Sequence, residues 1–400
     1  MVRLPNSQSH IAYERNRVKR SLFEPEHETF RATVRAFLNK EVVPVFPSWL
    51  EEELVPRAFF NRIGELGILG MNIPEEYGGS GPAGFRYSVV LGEEIARALV
   101  QLGPLRTHMD VVLPYLLKYS QDEQRQRWLP RIVSGDLITA IAMTEPGTGS
   151  DLAGMKTNAY LDGNAYVLNG AKTFITGGIH AGLVIVVART SSESGDRRQG
   201  LTLLVVEEGM KGFQRGRKLD KIGLDVQDTA ELFFRDVRVP VANRLGEEGR
   251  GFFYLGQNLP QERMAIALSA VASTQAALDT TIAYVKERVI FGTALSTFQN
   301  TKFELAAVAT ELEAAWAMFD RAVVELEADS LNSADAAKVK LFCTEVQSRS
   351  IDRCLQLFGG YGYMLEYPIA RLYADARVTR IYGGTSEVLK IIISKSLGLV

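Results

Sequence analysis

The chain is short of the residues that would staple it together or hold a metal. It has only two cysteines, Cys343 and Cys354, which fall in one helical pattern. They read as reduced core residues in a reducing compartment, not as a disulfide framework. Its four histidines, His10, His27, His108 and His180, are scattered with no metal-ligand spacing; no metal site is expected. Charge of one sign is not in excess, with 45 basic against 47 acidic residues and a formal net charge of −2. That balance argues against nucleic acid as a partner. No apolar run reaches the roughly 20 residues that a membrane span needs. The first residues carry Arg3, Arg15, Arg17, Lys19 and Arg20 but no apolar stretch, so they do not read as a secretory signal. A cytoplasmic location is expected, bacterial cytosol first and mitochondrial matrix as the alternative. What remains is an ordinary globular composition, 46% hydrophobic and 23% charged over 400 residues. That is enough chain for one large or two to three smaller domains with a buried core.

The most distinctive stretch is Met143 to Asp151, MTEPGTGSD. Gly147 and Gly149 let the backbone approach something flat or charged. Thr144, Thr148 and Ser150 crowd three hydroxyls together, and Pro146 stiffens the turn. The apolar segment Leu137–Met143 precedes it. A strand ending in such a turn could hold a polar heterocycle; it could equally be a surface loop with helix-cap chemistry.

Hydrophobic period divides the chain into three. From about Glu24 to Gly135 the stripes are helical: Phe30, Val34, Phe37 and Leu38, then Ala58–Leu69, Phe85–Leu99, Val111–Tyr119 and a charged helix from Gln121 to Val133. From Leu137 to about Val239 the period is two. Asp162-Gly163-Asn164 predicts a hairpin between Thr157–Leu161 and Tyr166–Leu168, and Asn169-Gly170 a break before a further strand, Lys172–Thr176. Leu183–Ala188 and Leu201–Val206 read as buried strands, with Glu231–Val237 closing the set. After Gly246 long helical stripes return, ending with Val388–Leu397, in the manner of an antiparallel bundle. The expected fold class is α+β: an N-terminal extension (1–24), a helical domain (25–136), a middle β-barrel-like domain (137–245) and a C-terminal four-helix bundle (246–400).

One literal motif misleads. Gly79-Ser80-Gly81-Pro82-Ala83-Gly84 spells G-x-G-x-x-G. A dinucleotide site needs that turn directly after a strand and opening a helix. Asn72–Tyr77 is a poor strand and Pro82 removes an amide, so a nicotinamide site is not expected here.

Five separated segments are informative together: AMTEPGTGSD (142–151), KTFITGG (172–178), LPQER (259–263) with ERVIFG (287–292), LQLFGGYGY (355–363) and IYGGTSE (381–387). In this order they resemble the acyl-CoA dehydrogenase flavoprotein family, from about residue 25 to the C-terminus. The resemblance implies an N-terminal helical, a middle β and a C-terminal bundle domain, matching the period analysis. It implies bound FAD, with Met143, Thr144, Phe174 and Thr176 around the flavin ring and Ser150 at the edge shared with the acyl-CoA. It further implies that Arg288, Phe291, Gln299, Gln356, Gly359 and Gly360 grip the diphosphate and adenine of a neighbouring subunit's FAD, with Thr385 and Glu387 also on the cofactor. A homo-oligomer, dimer or tetramer, would then complete the site. Singly, Arg288 could be a helix-end cation and Gly359-Gly360 a helix stop.

The family's reaction removes an α-proton from an acyl thioester while the β-hydride goes to flavin. It needs a carboxylate base and donors on the thioester oxygen. Many relatives carry the base as glutamate in an I-Y-E-G-T segment, where this chain has Ile381-Tyr382-Gly383-Gly384-Thr385. A branch that includes long-chain enzymes carries it instead in the first bundle helix, just before an arginine. Glu262-Arg263, just after Pro260, resembles that branch, as does Phe174 where many relatives have Trp. Glu262 is therefore the expected base, Gly383 the expected amide donor, and Ser150, Arg263, Tyr382 and Gly384 the expected substrate contacts. A carboxylate satisfying a helix start after Pro260 is the plain alternative for Glu262. The resemblance implies an electron-transfer flavoprotein as electron acceptor. An acyl-carrier-protein-linked dehydrogenase, an acyl-CoA oxidase or a non-catalytic flavin- or acyl-CoA-binding component would share the fold, and Glu262 argues against the last.

Overall fold

The computed structural model describes residues 19–191 and 196–399. Arg3, Arg15 and Arg17 lie outside them. The chain opens with helices α1 (Pro25–Phe37), α2 (Phe46–Glu52), α3 (Arg57–Glu65), α4 (Phe85–Arg97), α5 (Leu113–Tyr119) and α6 (Asp122–Val133). Short π-helical turns join α1 onward at Leu38–Val42 and lead into α5 at Thr107–Val112. Val34, Phe37, Phe59, Phe60 and Ile63 fill one core among these helices, as the i, i+3, i+4 spacing requires.

Strands follow: β1 (Thr139–Ala142), β2 (Asn158–Asp162), β3 (Ala165–Thr176), β4 (Leu183–Arg189), β5 (Leu201–Glu207), β6 (Phe213–Lys218), β7 (Thr229–Pro240) and β8 (Arg244–Leu245). They form one sheet in the order β6-β7-β3-β2-β4-β5-β8, with β1 parallel to β4. Leu183–Ala188 of β4 and Leu203–Val206 of β5 are apolar at every position because both faces are covered. Leu183, Ile185, Val187, Leu203 and Val205 pack with Tyr115, Leu116 and Trp128 of the helices. Val184, Val186, Ala188, Leu204 and Val206 pack with Leu232, Val237 and Val239 of the sheet itself. The helical layer is thereby fixed to the sheet.

The Gly163 hairpin forms with Asp162 paired to Ala165, and Gly163 at φ 63° supplies the positive dihedral. The break expected at Asn169-Gly170 does not occur. β3 runs through it, and the register against β7 shifts between Leu168 and Gly170. Thr157 explains this: a Cβ on Gly170 would lie 2.4 Å from its Oγ1, so the glycine serves a bulge at a close backbone approach.

The C-terminal part is built on α7 (Gly251–Glu287), α8 (Gln299–Glu327), α9 (Ser333–Gln356), α10 (Pro368–Ala376) and α11 (Ser386–Ser396), with a small hairpin of β9 (Val289–Ile290) and β10 (Thr293–Ala294) after α7. Leu268, Val271, Leu278, Val308, Leu312, Phe319, Val339 and Val346 form its core together with Cys343 and Cys354, both free thiols. Helix α7 begins at Gly251, so Pro260 lies inside it and Glu262 is well past the first turn. The helix-start reading of Glu262 is therefore excluded. Burial of Leu255, Asn258 and Glu262 holds the helix together through a proline that would otherwise interrupt it.

The G-x-G-x-x-G look-alike follows a turn of 3-10 helix at Glu75–Tyr77, not a strand. Its last glycine precedes α4, and the Gly84 amide donates to Asn72 Oδ1.

Candidate active site

Two segments of the sheet domain meet edge to edge. The Thr173 amide donates to the Thr144 carbonyl at 2.9 Å, joining the turn after β1 to the end of β3. A buried ion pair, unremarked in the sequence, fixes the turn from below. Lys172 donates to Glu145 Oε1 and to the Met143 carbonyl, each at 2.9 Å. Glu145 also accepts the Lys156 and Thr157 amides at 2.7 and 2.9 Å. Burial works against the Glu145 carboxylate, but those amides and the ammonium hold its pKa below the usual value. Burial also pulls the Lys172 ammonium down to about 8. Lys172 and Glu145 lie 27 residues apart, in KTFITGG and in the hydroxyl-rich turn respectively, and no local spacing pairs them.

Above this pair the site is open and unsatisfied. The hydroxyls of Thr144 and Ser150 have no hydrogen-bond partner among the described residues. A Cβ on Gly147 or Gly149 would meet nothing within 4 Å. Phe174, at φ 60°, stands 67% exposed between buried Thr173 and Ile175, and Thr176 follows it at the strand's end. Free hydroxyls beside a proffered aromatic face suit a flat, polar heteroaromatic ring; this donor set fits a flavin.

The bundle contributes an acid. Glu262 is buried, and Tyr115 of α5 donates to its Oε1 at 2.7 Å. Burial pushes its pKa up to about 7, against the opposing pull of the Tyr115 hydroxyl and the Arg263 charge. Tyr115 escaped the sequence reading because its partner lies on another domain. One helical turn beyond Glu262 on the same face is Ile266. It faces the turn Tyr382-Gly383-Gly384, where both glycines have positive φ, 62° and 95°. A Cβ on Gly383 would lie 2.3 Å from Ile266 Cδ1. The space opposite the absent glutamate side chain is thus taken by Ile266, not left vacant. The Gly383 amide has no acceptor among the described residues.

Arg263 is anchored within the bundle. It is buried and donates to the Ser333 hydroxyl at 2.8 Å and the Ser333 carbonyl at 3.2 Å, tying α7 to the start of α9. Its Nε is buried without a partner, and among the described residues its hydrogen bonds all come from Nη1, so the guanidinium is not fully spent on Ser333. Thr385 caps α11, accepting the Val388 amide, and Glu387 lies exposed in that helix's first turn.

A third group lies apart on the surface of the single chain. Arg288, Gln299, Gln356, Gly359 and Gly360 are all exposed. Phe291 is 95% exposed at φ 49°. The Arg288 guanidinium sits 5.5 Å from the Tyr361 ring centroid, so the β9–β10 hairpin and the Gly359–Tyr363 turn are brought together.

Helices, a sheet and a bundle in this order, with a buried acid on the first bundle helix, define a three-part α+β protein with a candidate acid–base site. The C-terminal, N-terminal and middle domain families of acyl-CoA dehydrogenase match residues 249–398, 24–136 and 140–237. The chain is 45% identical over 379 residues to the long-chain specific acyl-CoA dehydrogenase of Sus scrofa mitochondria, covering 94% of this chain and 88% of the relative. It superposes with a TM-score of 0.92 on the acyl-CoA dehydrogenase of Geobacillus kaustophilus, at 45% identity over 95% of this chain and 100% of the other. A glutaryl-CoA dehydrogenase of Mycobacterium smegmatis solved in complex with FADH2 matches at TM-score 0.85 and 29% identity, over 94% and 95% of the two chains. The chain belongs to the acyl-CoA dehydrogenase family.

Proposed function

We propose that this protein is an FAD-dependent acyl-CoA dehydrogenase that converts an acyl-CoA thioester to the trans-2-enoyl-CoA and passes the electrons to an electron-transfer flavoprotein. The observation that carries this reading is the acid: Glu262 is buried, hydrogen-bonded by Tyr115, and one turn from the residue that packs on Gly383. A base poised near neutrality suits abstraction of a carbon-bound proton.

In this reading Glu262 takes the proton from the substrate's α-carbon, and Tyr115 favours its charged form until then. The Gly383 amide donates to the thioester oxygen as negative charge gathers there. Met143, Thr144, Phe174 and Thr176 hold the flavin ring, with Ser150 where ring and substrate meet. Bound FAD supplies the acceptor for the β-hydride. Tyr382 and Gly384 shape the turn beside the substrate, and Arg263 is assigned to a substrate contact. Thr385 and Glu387 are assigned to the cofactor side of that turn. Arg288, Phe291, Gln299, Gln356, Gly359 and Gly360, exposed in the single chain, are assigned to the FAD of a second copy, which makes the working unit a homo-oligomer. Arginine forks onto phosphate oxygens, and the glycine pair lets amides approach them.

The test is Glu262→Gln. The variant should keep its flavin, yet acyl-CoAs of graded chain length should no longer bleach it anaerobically. Undiminished bleaching would remove Glu262 from the reaction.

A further inference from the structure

Lys340 is fully buried in α9, the one cation on a buried face that begins with Ala336, Ala337 and Val339 and continues through Cys343, Thr344, Val346 and Gln347. Its ammonium donates to the Tyr382 carbonyl at 2.6 Å and to the Gly384 carbonyl. No carboxylate pairs with it among the described residues, and the charge acting on it most is another cation, Arg263. Burial, reinforced by Arg263, pushes its pKa down to about 7. An apolar side chain of similar length would fill the space without desolvating an ammonium. Packing alone does not explain a lysine here.

Peptide geometry does. The Tyr382 carbonyl and the Gly383 N–H belong to the same peptide unit, and in a trans peptide they point to opposite sides. A cation held on that oxygen leaves the N–H directed away from Lys340 and polarises it as a donor. The second bond, to the Gly384 carbonyl, clamps the Gly384–Thr385 peptide. One ammonium therefore holds the peptide units on either side of the Gly383–Gly384 pair, whose φ angles of 62° and 95° glycine adopts without strain. The amide so aimed has no acceptor among the described residues.

We propose that Lys340 is a positioning residue that orients and polarises the Tyr382–Gly383 amide toward the thioester oxygen of an acyl-CoA, its charge stabilising the negative charge that gathers there. The proposal rests on the function proposed above and adds a residue that acts through the glycine turn. It differs from a structural role because it concerns charge at the substrate oxygen, which fold stability does not report.

The test uses the flavin-loaded protein and Lys340→Met. Two readouts are taken per bound flavin: the limiting rate of anaerobic flavin reduction by an acyl-CoA, and the long-wavelength absorbance that the enolate of a 3-thiaacyl-CoA gives when stacked on oxidised flavin. Lys340→Met should bind acyl-CoA with nearly unchanged affinity, lose about tenfold or more in limiting rate, and show a weakened enolate band. Lys340→Arg, which keeps charge and donors, should recover part of the band. A Lys340→Met holoenzyme with a rate within about twofold of the parent and an undiminished band overturns the proposal. Should Lys340→Met lose most of its flavin, Lys340→Gln keeps an amide donor without the charge, and the same readouts on its holoenzyme fraction decide the matter. Failure of the unmodified protein to be bleached by any acyl-CoA would instead count against the proposed function itself.

Discussion

The Tyr115 hydroxyl donates to Glu262 Oε1 at 2.7 Å, and the bond spans two domains, from α5 to α7. A hydroxyl that donates to a carboxylate favours its charged form. Tyr115 therefore opposes the burial that raises Glu262 to about 7. If Glu262 is the base, it must be ionised to act, so its ionisation should quicken flavin reduction as pH rises through about 7, while loss of the Lys340 charge, also near 7, works in the opposite direction and narrows the rise. Removing the donor in Tyr115→Phe should shift that rise upward by about one to two pH units, since a hydrogen bond to a charged group is worth ~1.5–3 kcal/mol. Stopped-flow reduction rates from pH 6 to 9 measure both midpoints; coincident profiles would separate Tyr115 from the acid's ionisation.

The Lys172–Glu145 pair predicts a second outcome. Lys172→Met strands the Glu145 carboxylate and the Met143 carbonyl under the turn that carries Thr144. Breaking a buried pair from one side costs about 3–5 kcal/mol, so the denaturation midpoint should fall and flavin content with it. Lys172→Met combined with Glu145→Gln removes the stranded charge and should be milder than Lys172→Met alone. The ratio of flavin to protein absorbance and urea unfolding give the two numbers. Full flavin in Lys172→Met would show that the turn is held by other contacts.

Gly383 and Ile266 predict a third. Gly383→Ala puts a Cβ 2.3 Å from Ile266 Cδ1 and holds a non-glycine residue at positive φ, which costs ~1–2 kcal/mol. Ile266→Val deletes that terminal methyl; the next atom, Ile266 Cγ1, is at an ordinary 3.8 Å. The double variant should therefore regain the part of the stability lost to the clash and keep the part lost to φ. Thermal melts of the two single variants and the double variant resolve the two terms. A double variant no better than Gly383→Ala would assign the whole loss to the backbone.

These relationships show which layers of the structure were legible in the sequence. The strands β4 and β5 were, because a continuous apolar run of that length fits a strand covered on both faces. Thr144, Phe174 and Glu262 were singled out because each lies in a short motif whose meaning is local. β6 was missed: Gln214, Arg215, Arg217 and Lys218 make it too polar to read as a strand, and it is held by pairing with β7. Asn169-Gly170 reads as a turn by dipeptide chemistry, but contact with Thr157 makes it a bulge. Pro260 reads as a helix start, but tertiary burial carries α7 through it. Tyr115 and Lys340 act on groups 147 and 42 residues away, and no period reports such pairings. Lys340 did leave one trace, a lone cation among the uncharged residues of a buried helix face.

Arg20 belongs to a segment that the sequence reading treats as an extension, yet it is bound into the bundle. Its Nε and Nη2 each donate to Asp320 at 2.6 Å, its Nη1 to Glu93, and its guanidinium lies 4.0 Å from the Trp316 ring centroid. Both carboxylates hold it charged, raising its pKa against the effect of burial. Arg20→Ala would leave Asp320 and Glu93 without this shared cation and uncover the Trp316 face. We expect a loss of ~2–4 kcal/mol, toward the lower part of the range for breaking a buried pair because the site is partly solvated. Arg20→Lys should recover little, since an ammonium cannot fork onto both Asp320 oxygens while stacking on an indole. Flavin content and the rate of its reduction should stay at the parent level in both variants, because no group of the candidate active site touches Arg20. Urea unfolding set beside the flavin spectrum makes the check, and lost flavin with unchanged stability would refute it.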